Sequence, residues 1–494
     1  MAQLHSASYS QSQSLGDVQI NVVYADDEGR EQNNSTNDPA VLAATTKQCN
    51  GCGKVEHFSK ACRSKPKQKS RINMIDTHHK DSRLTTVLLK SMAGQLYILI
   101  IMKCAIIHPD FGLGGAERLI LDEAIALKQS KHDIDIFTTN YNPEHAFDET
   151  KRFTIYSIGQ SLPRTIFGYG YILICWIRMI LVCLYMILNN MNYDIIFVDQ
   201  VSVIVPLLRL KYKHVIFYCH FPDHLLASHS NLIRQIYRYP FDLIEELSLI
   251  FATVILANSE FTKSTMTKVF PNLRNYYDDD LSNVQILYPC IHSIKDTSAE
   301  MTEANGSDEI LQFVSLNRYE RKKNIELSIK ATSHFAKICN AKFQLTIAGG
   351  YDERLPDCVQ YYNELVNLAK KLNVDALFMR SISDKEKDTL FRKATCVIYT
   401  PADEHFGIVP IDAMSYGKPV LAVNSGGPCE TIVHGKTGFL IEQDPEAFAM
   451  RMKSLAENKE LRLQMGEAGE KRVRDLYSFE KFRESLNGLV IKLN

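Results

Sequence analysis

The sequence lacks several features, and each absence removes a class of protein. No charge surplus is present: 56 Lys and Arg stand against 57 Asp and Glu in 494 residues, so no long-range field favours nucleic acid or an anionic surface, and any basic patch must be local. The cysteines form no evenly spaced framework. Of twelve, three cluster at Cys49, Cys52 and Cys62, while the other nine are scattered, mostly in apolar contexts such as Cys104, Cys219 and Cys396. That pattern excludes a disulfide-stapled secreted scaffold and indicates a reducing compartment. The possible glycosylation acceptors Asn33, Asn34 and Asn305 are then bystanders. Residues 1–40 are polar, rich in Ser, Gln and Asn, and carry no run resembling a signal peptide, so no leader is expected.

What is present is ample apolar material, 45% of residues, in a chain too long for one ordinary core. Residues 1–101 read as a polar to basic, disordered appendage without the periodicity that builds a core. From Met102 the text changes. KCAIIHPD reads as a strand ending in a turn, and GAERLILDEAIALKQS as an amphipathic helix. DIDIFTT, DIIFVD, HVIFYCH and TVILANS follow as β-branched runs, each closed by a polar residue. After a polar linker near 293–308, LQFVSLN, FQLTIAGG, ALFMR, CVIYT and PVLAV form a second series separated by helical stretches. In one of these Leu327, Ala331, Phe335 and Ile338 recur at helical spacing; another opens with a capping-box pattern, Ser383 to Glu386. The expected fold is α/β: two doubly wound parallel-sheet domains, 102–300 and 301–475, with 476–494 a C-terminal helix packing back on the first. Ligand is expected between them, at the carboxyl ends of the strands.

Residues 166–188 are long and apolar enough to span a bilayer and contain one charge, Arg178. Spanning would put strands of one sheet on opposite sides of a membrane, so the segment reads as a docking helix lying in the interface, with a buried core helix as the alternative.

Three motifs carry chemistry. Gly112, Gly114 and Gly115, between the first strand and its helix, allow a tight turn and the approach of backbone N–H groups to a phosphate, although the full dinucleotide fingerprint is absent. The Asn317–Asn324 turn offers Arg318 and Lys323 to a diphosphate, or else is a solvated helix start. The 400–414 segment places Glu404 in a loop, Gly407 at a helix start and Asp412 two turns in, so that both acids can face one ligand. His220, after the strand VIFYC, puts an imidazole at the cleft-facing strand end. Separately, Cys49-x2-Cys52-x4-His57-x4-Cys62 has the spacing of a retroviral-type zinc knuckle, with ligands suited to a closed structural Zn²⁺ site at 49–62 and a basic tail after it. Such knuckles bind single-stranded nucleic acid, and residues 1 to about 80 look like a fragment of a mobile-element protein joined to an enzyme.

The strings HPDFGLGGAERLILD, DQVS, FYCHFPD, NRYERKKN, AGGYDER, EHFGIVP and AVNSGGPCETI together resemble glycosyltransferase family 4, the retaining GT-B enzymes, and within it the dolichol-pathway mannosyltransferases of asparagine-linked glycosylation. The resemblance runs from Met102 to about residue 490. It implies that the Gly112–Gly115 loop contacts donor phosphates or acceptor, that Arg318 and Lys323 hold the diphosphate of GDP-mannose, that Glu404 engages the mannose, and that His220 lies beside the reacting sugar. The family's ribose-binding acid is usually Glu; here it is the shorter Asp412. The implied reaction is retaining, metal-independent transfer of mannose to a dolichol-diphosphate-linked Man1GlcNAc2 acceptor, in α-1,3 or α-1,6 linkage or both, on the cytoplasmic face of the endoplasmic reticulum membrane. Other dolichol-pathway mannosyltransferases are implied as partners. The alternatives are another GDP- or UDP-sugar transferase of the same family, and a nucleic-acid-binding protein in which the knuckle is the working part.

Overall fold

The computed structural model describes residues 96–165, 170–226, 232–277, 281–292, 294 and 310–493, together with two short earlier strands. The zinc-knuckle motif at 49–62 lies outside the described residues. Strands β1 (Met74–Asp76), β2 (Thr85–Lys90) and β3 (Leu96–Ile101) pair antiparallel in a small sheet.

Two larger sheets follow. The first contains β4 (Lys103–His108), β5 (Asp133–Thr138), β6 (Thr154–Ser157), β7 (Ile195–Asp199), β8 (His214–Cys219), β9 (Val254–Ala257) and β10 (Val284–Ile286), in the order β10-β9-β8-β7-β4-β5-β6. It is parallel from β10 to β4 and between β5 and β6. The second contains β11 (Leu311–Leu316), β12 (Phe343–Gly349), β13 (Ala376–Arg380), β14 (Cys396–Tyr399), β15 (Val420–Val423) and β16 (Gly438–Ile441), all parallel, in the order β13-β12-β11-β14-β15-β16. This is the expected α/β class. Central strands such as β7 and β14 are buried along their whole length, because helices cover both faces of each sheet, which is why they read as unbroken β-branched runs.

Strand order reverses once in each sheet, between β4 and β7 and between β11 and β14. At such a point neighbouring connections leave in opposite directions and open a crevice at the carboxyl ends of the strands. His108 ends β4, Asp199 ends β7, and the Arg318–Lys323 and Asp403–Gly407 segments follow β11 and β14.

Three local points refine the expectations. Leu327, Ala331 and Phe335 are buried on helix Glu326–Ile338, but Ile338 is its exposed last residue. The described part of the apolar segment forms helix Tyr171–Leu188, and its single charge, Arg178, is only 5% exposed. Its Nε donates to Gly159 O at 3.1 Å and its Nη2 to Thr139 O at 3.3 Å, so the charge is satisfied by domain backbone. Met179, Val182, Cys183 and Met186 join the core of the first sheet, with Ile180 packed against them. Finally, Gly112, Gly114 and Gly115 are not among the positive-φ glycines, so the turn needs no left-handed backbone there.

Candidate functional site

In the second domain the two loops at the switch point are tied together. Lys323 closes a short 3₁₀ turn, Arg321–Lys323, that ends on Asn324 in the left-handed region (φ 46°). Thr400 Oγ1 donates to Lys323 O at 2.7 Å. The Lys323 ammonium reaches Glu404 Oε2 at 2.5 Å. The Glu404 loop is held from behind by Gly426 and Gly427. Gly427 N donates to Glu404 O at 2.7 Å, and a Cβ on Gly426, whose φ is +66°, would lie 2.5 Å from that same oxygen. Only glycine permits this approach. Gly407, also left-handed (φ 81°), starts helix Ile408–Ser415, which carries Asp412. Burial raises the Asp412 carboxyl above its ordinary pKa, opposed by Lys387, whose Nζ lies 2.6 Å from Oδ2.

In the first domain the switch point holds a buried ionic cluster. His108 Nδ1 and Asp199 Oδ2 are 2.7 Å apart, both residues 1% exposed. His220, just past β8, places Nε2 at 2.8 Å from Asp199 Oδ1, within ion-pair reach but off the line of a good hydrogen bond. Burial alone would lower the His108 pKa, yet hydrogen bonding and charge from Asp199 and Glu117 outweigh it and hold it at about 9. Burial likewise pushes Asp199 up, but His220 and His108 draw it down to about 2. Beneath them Glu123 is fully buried, with neither carboxyl oxygen hydrogen-bonded among the described residues; burial, reinforced by Asp199, raises its pKa well above normal.

The domains meet around a cavity of about 710 Å³ lined by Gly115, Arg118, Asp122, His220, Cys290 and His292 on one side and Lys387, Glu404, His405, Gly407, Asp412 and Tyr416 on the other. Beside it the ring of His405, a lining residue, stacks on that of Phe221 with centroids 3.6 Å apart. Burial lowers the His405 pKa to about 4, keeping the ring neutral and apolar enough to stack. Ser259 Oγ donates to His405 O at 2.6 Å, and Glu260 N donates to the Glu430 carboxylate, 2.9 Å from Oε2.

Of the residues singled out by sequence, His220, Glu404, Gly407, Asp412 and Gly115 line this one cavity. A Cβ on Gly115 would meet nothing within 4 Å, so its backbone is open to a ligand. Lys323 joins through Glu404. Gly112 and Gly114 sit in the loop before Gly115 and are not among the lining residues. Arg318 is also outside the lining set; its guanidinium, 62% exposed, pairs with Glu320 at 2.8 Å. Cys49, Cys52, His57 and Cys62 lie outside the described residues.

Several residues escaped sequence reading. His108 and Asp199 are 91 residues apart and meet only through sheet order. Each ends a β-branched run at the switch point, which is the signal that was available. Lys387 follows the Ser383 capping box, which the structure contains, on the helix face toward Asp412. Asp122, Cys290 and His292 bring three possible metal-ligand atoms within 4.8 Å of one another. Arg118 Nη2, however, lies 2.6 Å from Asp122 Oδ1 and 2.7 Å from His292 Nε2, so a guanidinium already fills that position. An Asp-x-Asp string, Asp133 and Asp135, falls at the amino end of β5, where Asp135 accepts from Tyr193 OH at 2.7 Å.

Residues 113–274 match the family described as Glycosyltransferase Family 4, and 297–472 match Glycosyl transferases group 1. The chain is 38% identical over 404 residues to the alpha-1,3/1,6-mannosyltransferase ALG2 of Mus musculus, covering 78% of this chain and 95% of that protein. It is 39% identical over 404 residues to the Homo sapiens protein of the same name, again with 78% and 95% covered. Among solved structures, sucrose-phosphate synthase from Thermosynechococcus elongatus superposes with a TM-score of 0.62 at 19% identity, covering 79% of this chain and 99% of that one. The lipopolysaccharide glycosyltransferase WaaG superposes at 0.55 and 16% identity, with 78% and 100% covered; both likenesses speak to the fold alone.

Proposed function

This chain belongs to the alpha-1,3/1,6-mannosyltransferases of glycosyltransferase family 4, and from that premise we propose that it transfers mannose from GDP-mannose to a dolichol-diphosphate-linked oligosaccharide. The observation that carries the reading is the gathering of Gly115, His220, Glu404, Gly407 and Asp412 on one cavity between two parallel sheets. GDP-mannose is an α-linked donor and the products are α-mannosides, so configuration is retained; no enzymic nucleophile is apparent, which favours front-face displacement. The bond from mannose C1 to the diphosphate oxygen breaks with its electron pair staying on the diphosphate. The acceptor hydroxyl oxygen bonds to C1 on the same face, and its proton passes to the departing diphosphate.

Each side chain then has a task. Lys323, and Arg318 once it leaves Glu320, neutralise the charge that grows on the diphosphate. Glu404, oriented by Lys323, meets mannose hydroxyls. Asp412, one methylene shorter than the usual acid and braced by Lys387, faces the ribose. His220 stands beside the sugar, fixed from behind by Asp199. Catalysis is taken to be independent of metal. The division at 300/301 and the packing of 476–494 on the first domain belong to the same proposal, as does docking on the cytoplasmic face of the endoplasmic reticulum through 166–188, beside other mannosyltransferases of the dolichol pathway. Cys49, Cys52, His57 and Cys62 are proposed to hold a structural zinc, with nucleic acid a partner only if that knuckle works.

The test is a donor panel of GDP-mannose, UDP-glucose and UDP-N-acetylglucosamine with dolichol-diphosphate-linked Man1GlcNAc2 as acceptor. GDP-mannose should be used at least about a hundredfold better by kcat/KM. Preference for a UDP-sugar would overturn the assignment.

A further inference from the structure

Helix Leu232–Leu249 is turned inside out. From Gln235 on, its described charged side chains point into the domain: Arg238 Nη2 lies 2.9 Å from Asp223 Oδ2 and 2.7 Å from Asp242 Oδ1. Glu245 accepts from the backbone N–H of Asp223 at 2.8 Å and of His224 at 3.0 Å. Glu246 is buried and accepts from the Asn272 side-chain amide at 2.8 Å and from Leu273 N at 3.2 Å, capping helix Pro271–Tyr277. Its apolar side chains point out. Ile236 is 67% and Tyr239 68% exposed, with Tyr237, Ile244 and Leu247 beside them. From Gln235 to Leu249 no Asp, Glu, Lys or Arg is exposed.

Helix Tyr171–Leu188 repeats the inversion: Arg178 faces inward while Leu173, Ile177, Leu181, Leu184 and Leu188 face out. The two helices meet where Trp176 packs edge-on against Phe241, ring centroids 4.9 Å apart. Helices bordering water do the opposite, because charge is costly to bury and leucine costly to expose. Two adjacent helices that both hide charge and show aliphatic and tyrosine side chains match an apolar surrounding with an aromatic fringe. Between them runs a slot of about 300 Å³, lined by Tyr171, Cys175, Trp176 and Phe241 and reaching Pro109, Val201 and Asp223. Those last three follow the carboxyl ends of β4, β7 and β8, the edge that also carries His220.

We propose that helices Tyr171–Leu188 and Leu232–Leu249 form one continuous bilayer-docking face, and that the slot between them guides the isoprenoid end of the acceptor from the membrane toward the cleft. The guiding role rests on the reading that the acceptor is lipid-linked; the docking role does not. Because the described side chains of the second helix, from Gln235 to Leu249, show no exposed charge, binding through this face is apolar and needs no anionic lipid.

The full chain is tested by flotation with phosphatidylcholine vesicles. Ile236→Ser/Tyr239→Ser/Leu247→Ser should weaken binding on the order of a hundredfold, as should Leu173→Ser/Leu184→Ser on the other helix, and raising salt should leave binding of the parent chain unchanged. All five positions are exposed, and an unchanged melting temperature verifies the fold. Transfer to a long-chain dolichol acceptor should fall with binding, while transfer to a water-soluble short-chain analogue stays at the parent level. A folded triple variant that still floats like the parent overturns the second helix's role. Loss of self-association in sedimentation, with vesicle binding intact, would instead make the face a contact between two copies of this chain and equally overturn the proposal. If the parent chain transfers mannose to neither acceptor, the functional reading fails while the flotation result still decides docking.

Discussion

The two sheet domains treat charge in opposite ways. Around the first sheet Asp122, Glu123, Asp135, Arg178, Asp199, Arg238 and Glu246 are all buried, while from 310 to 441 Lys323 is the one fully buried charged side chain, with Asp412 partly buried at the same proposed site. In the second domain the charges lie outside, in pairs such as Arg321 with Glu364 and Arg354 with Asp352, where solvent screens them and they contribute little. Its single exception sits at the proposed donor site. A domain that binds a soluble nucleotide can leave its charges in water and bury one where the ligand's own charge will meet it. A domain proposed to face lipid brings its charges indoors and pairs those it keeps ionised, since a lone buried charge costs several kcal/mol; Glu123, without a hydrogen-bond partner among the described residues, has its pKa raised by burial instead.

The sharpest way to break this comparison is to remove the exception. Lys323→Ala strips the cation from the proposed diphosphate site and leaves Glu404 without its partner, so kcat/KM should fall by about 10³ with the circular dichroism spectrum unchanged. Arg318→Ala, at an exposed position already paired with Glu320, should cost less, about tenfold. Steady-state kinetics of the two variants checks both. Equal and small effects would move the diphosphate site elsewhere.

A smaller effect is expected from the first domain's cluster. The His108 pKa of about 9 exceeds the ordinary 6.5, so its stabilising contribution is complete below pH 6.5 and is lost as pH rises through about 9. The Asp199 pKa, about 2 against 3.8, gives a contribution complete above pH 3.8 and lost as pH falls through about 2. Asp199→Asn should therefore flatten the decline in melting temperature between pH 6.5 and 9, where the parent protein loses stability. Because His220 also leans on Asp199, kcat should drop about 10- to 100-fold while KM changes less, and because His108 loses the partner that raises its pKa to about 9, the alkaline limb of the kcat profile should move to lower pH. A variant that lost stability but kept the parent's pH–rate profile would reduce the cluster to a structural role.

Much of this was legible in sequence, for identifiable reasons. Central strands such as β7, β8 and β14 are buried on both faces, and burial writes itself as unbroken β-branched runs. The short strands β6, β10 and β16, which lie at or beside sheet edges or run only three or four residues, carry no such signature and were not read. Glu404, Gly407 and Asp412 are local in sequence and were found together, whereas His108, Asp199 and Lys387 act through partners that only the strand order and helix packing bring near. The inverted helix was illegible for a different reason. Arg238, Asp242, Glu245 and Glu246 look like a solvated stripe, because amphipathic periodicity fixes two faces of a helix and does not say which one meets water.

The smallest expected effect is none at all, and it bears on the cleft where the two domains meet. Asp122, Cys290 and His292 resemble a divalent-cation site, and a metal there would stand in the cavity that Glu404 and Asp412 also line. The Arg118 guanidinium sits 2.6 Å from Asp122 and 2.7 Å from His292, delivering positive charge to the carboxylate that a metal would need. Arg118 also reaches Glu149 at 3.1 Å and lies over the Phe147 ring at 5.4 Å, so it is anchored from the side away from the cluster and is not free to swing out for an ion. Its pKa is raised, with burial opposing and Asp122 and Glu149 prevailing, so the cation persists at any working pH. EDTA should then leave mannose transfer within about twofold of the untreated rate, the size of effect that loss of a group with no part in the transition state would give. The same treatment should release zinc from the chain if Cys49, Cys52, His57 and Cys62 hold it, which a chromogenic zinc indicator reads independently of activity. Loss of transfer on chelation, restored by a divalent ion but not by zinc alone, would place a working metal in the cleft and require Arg118 to move aside for it.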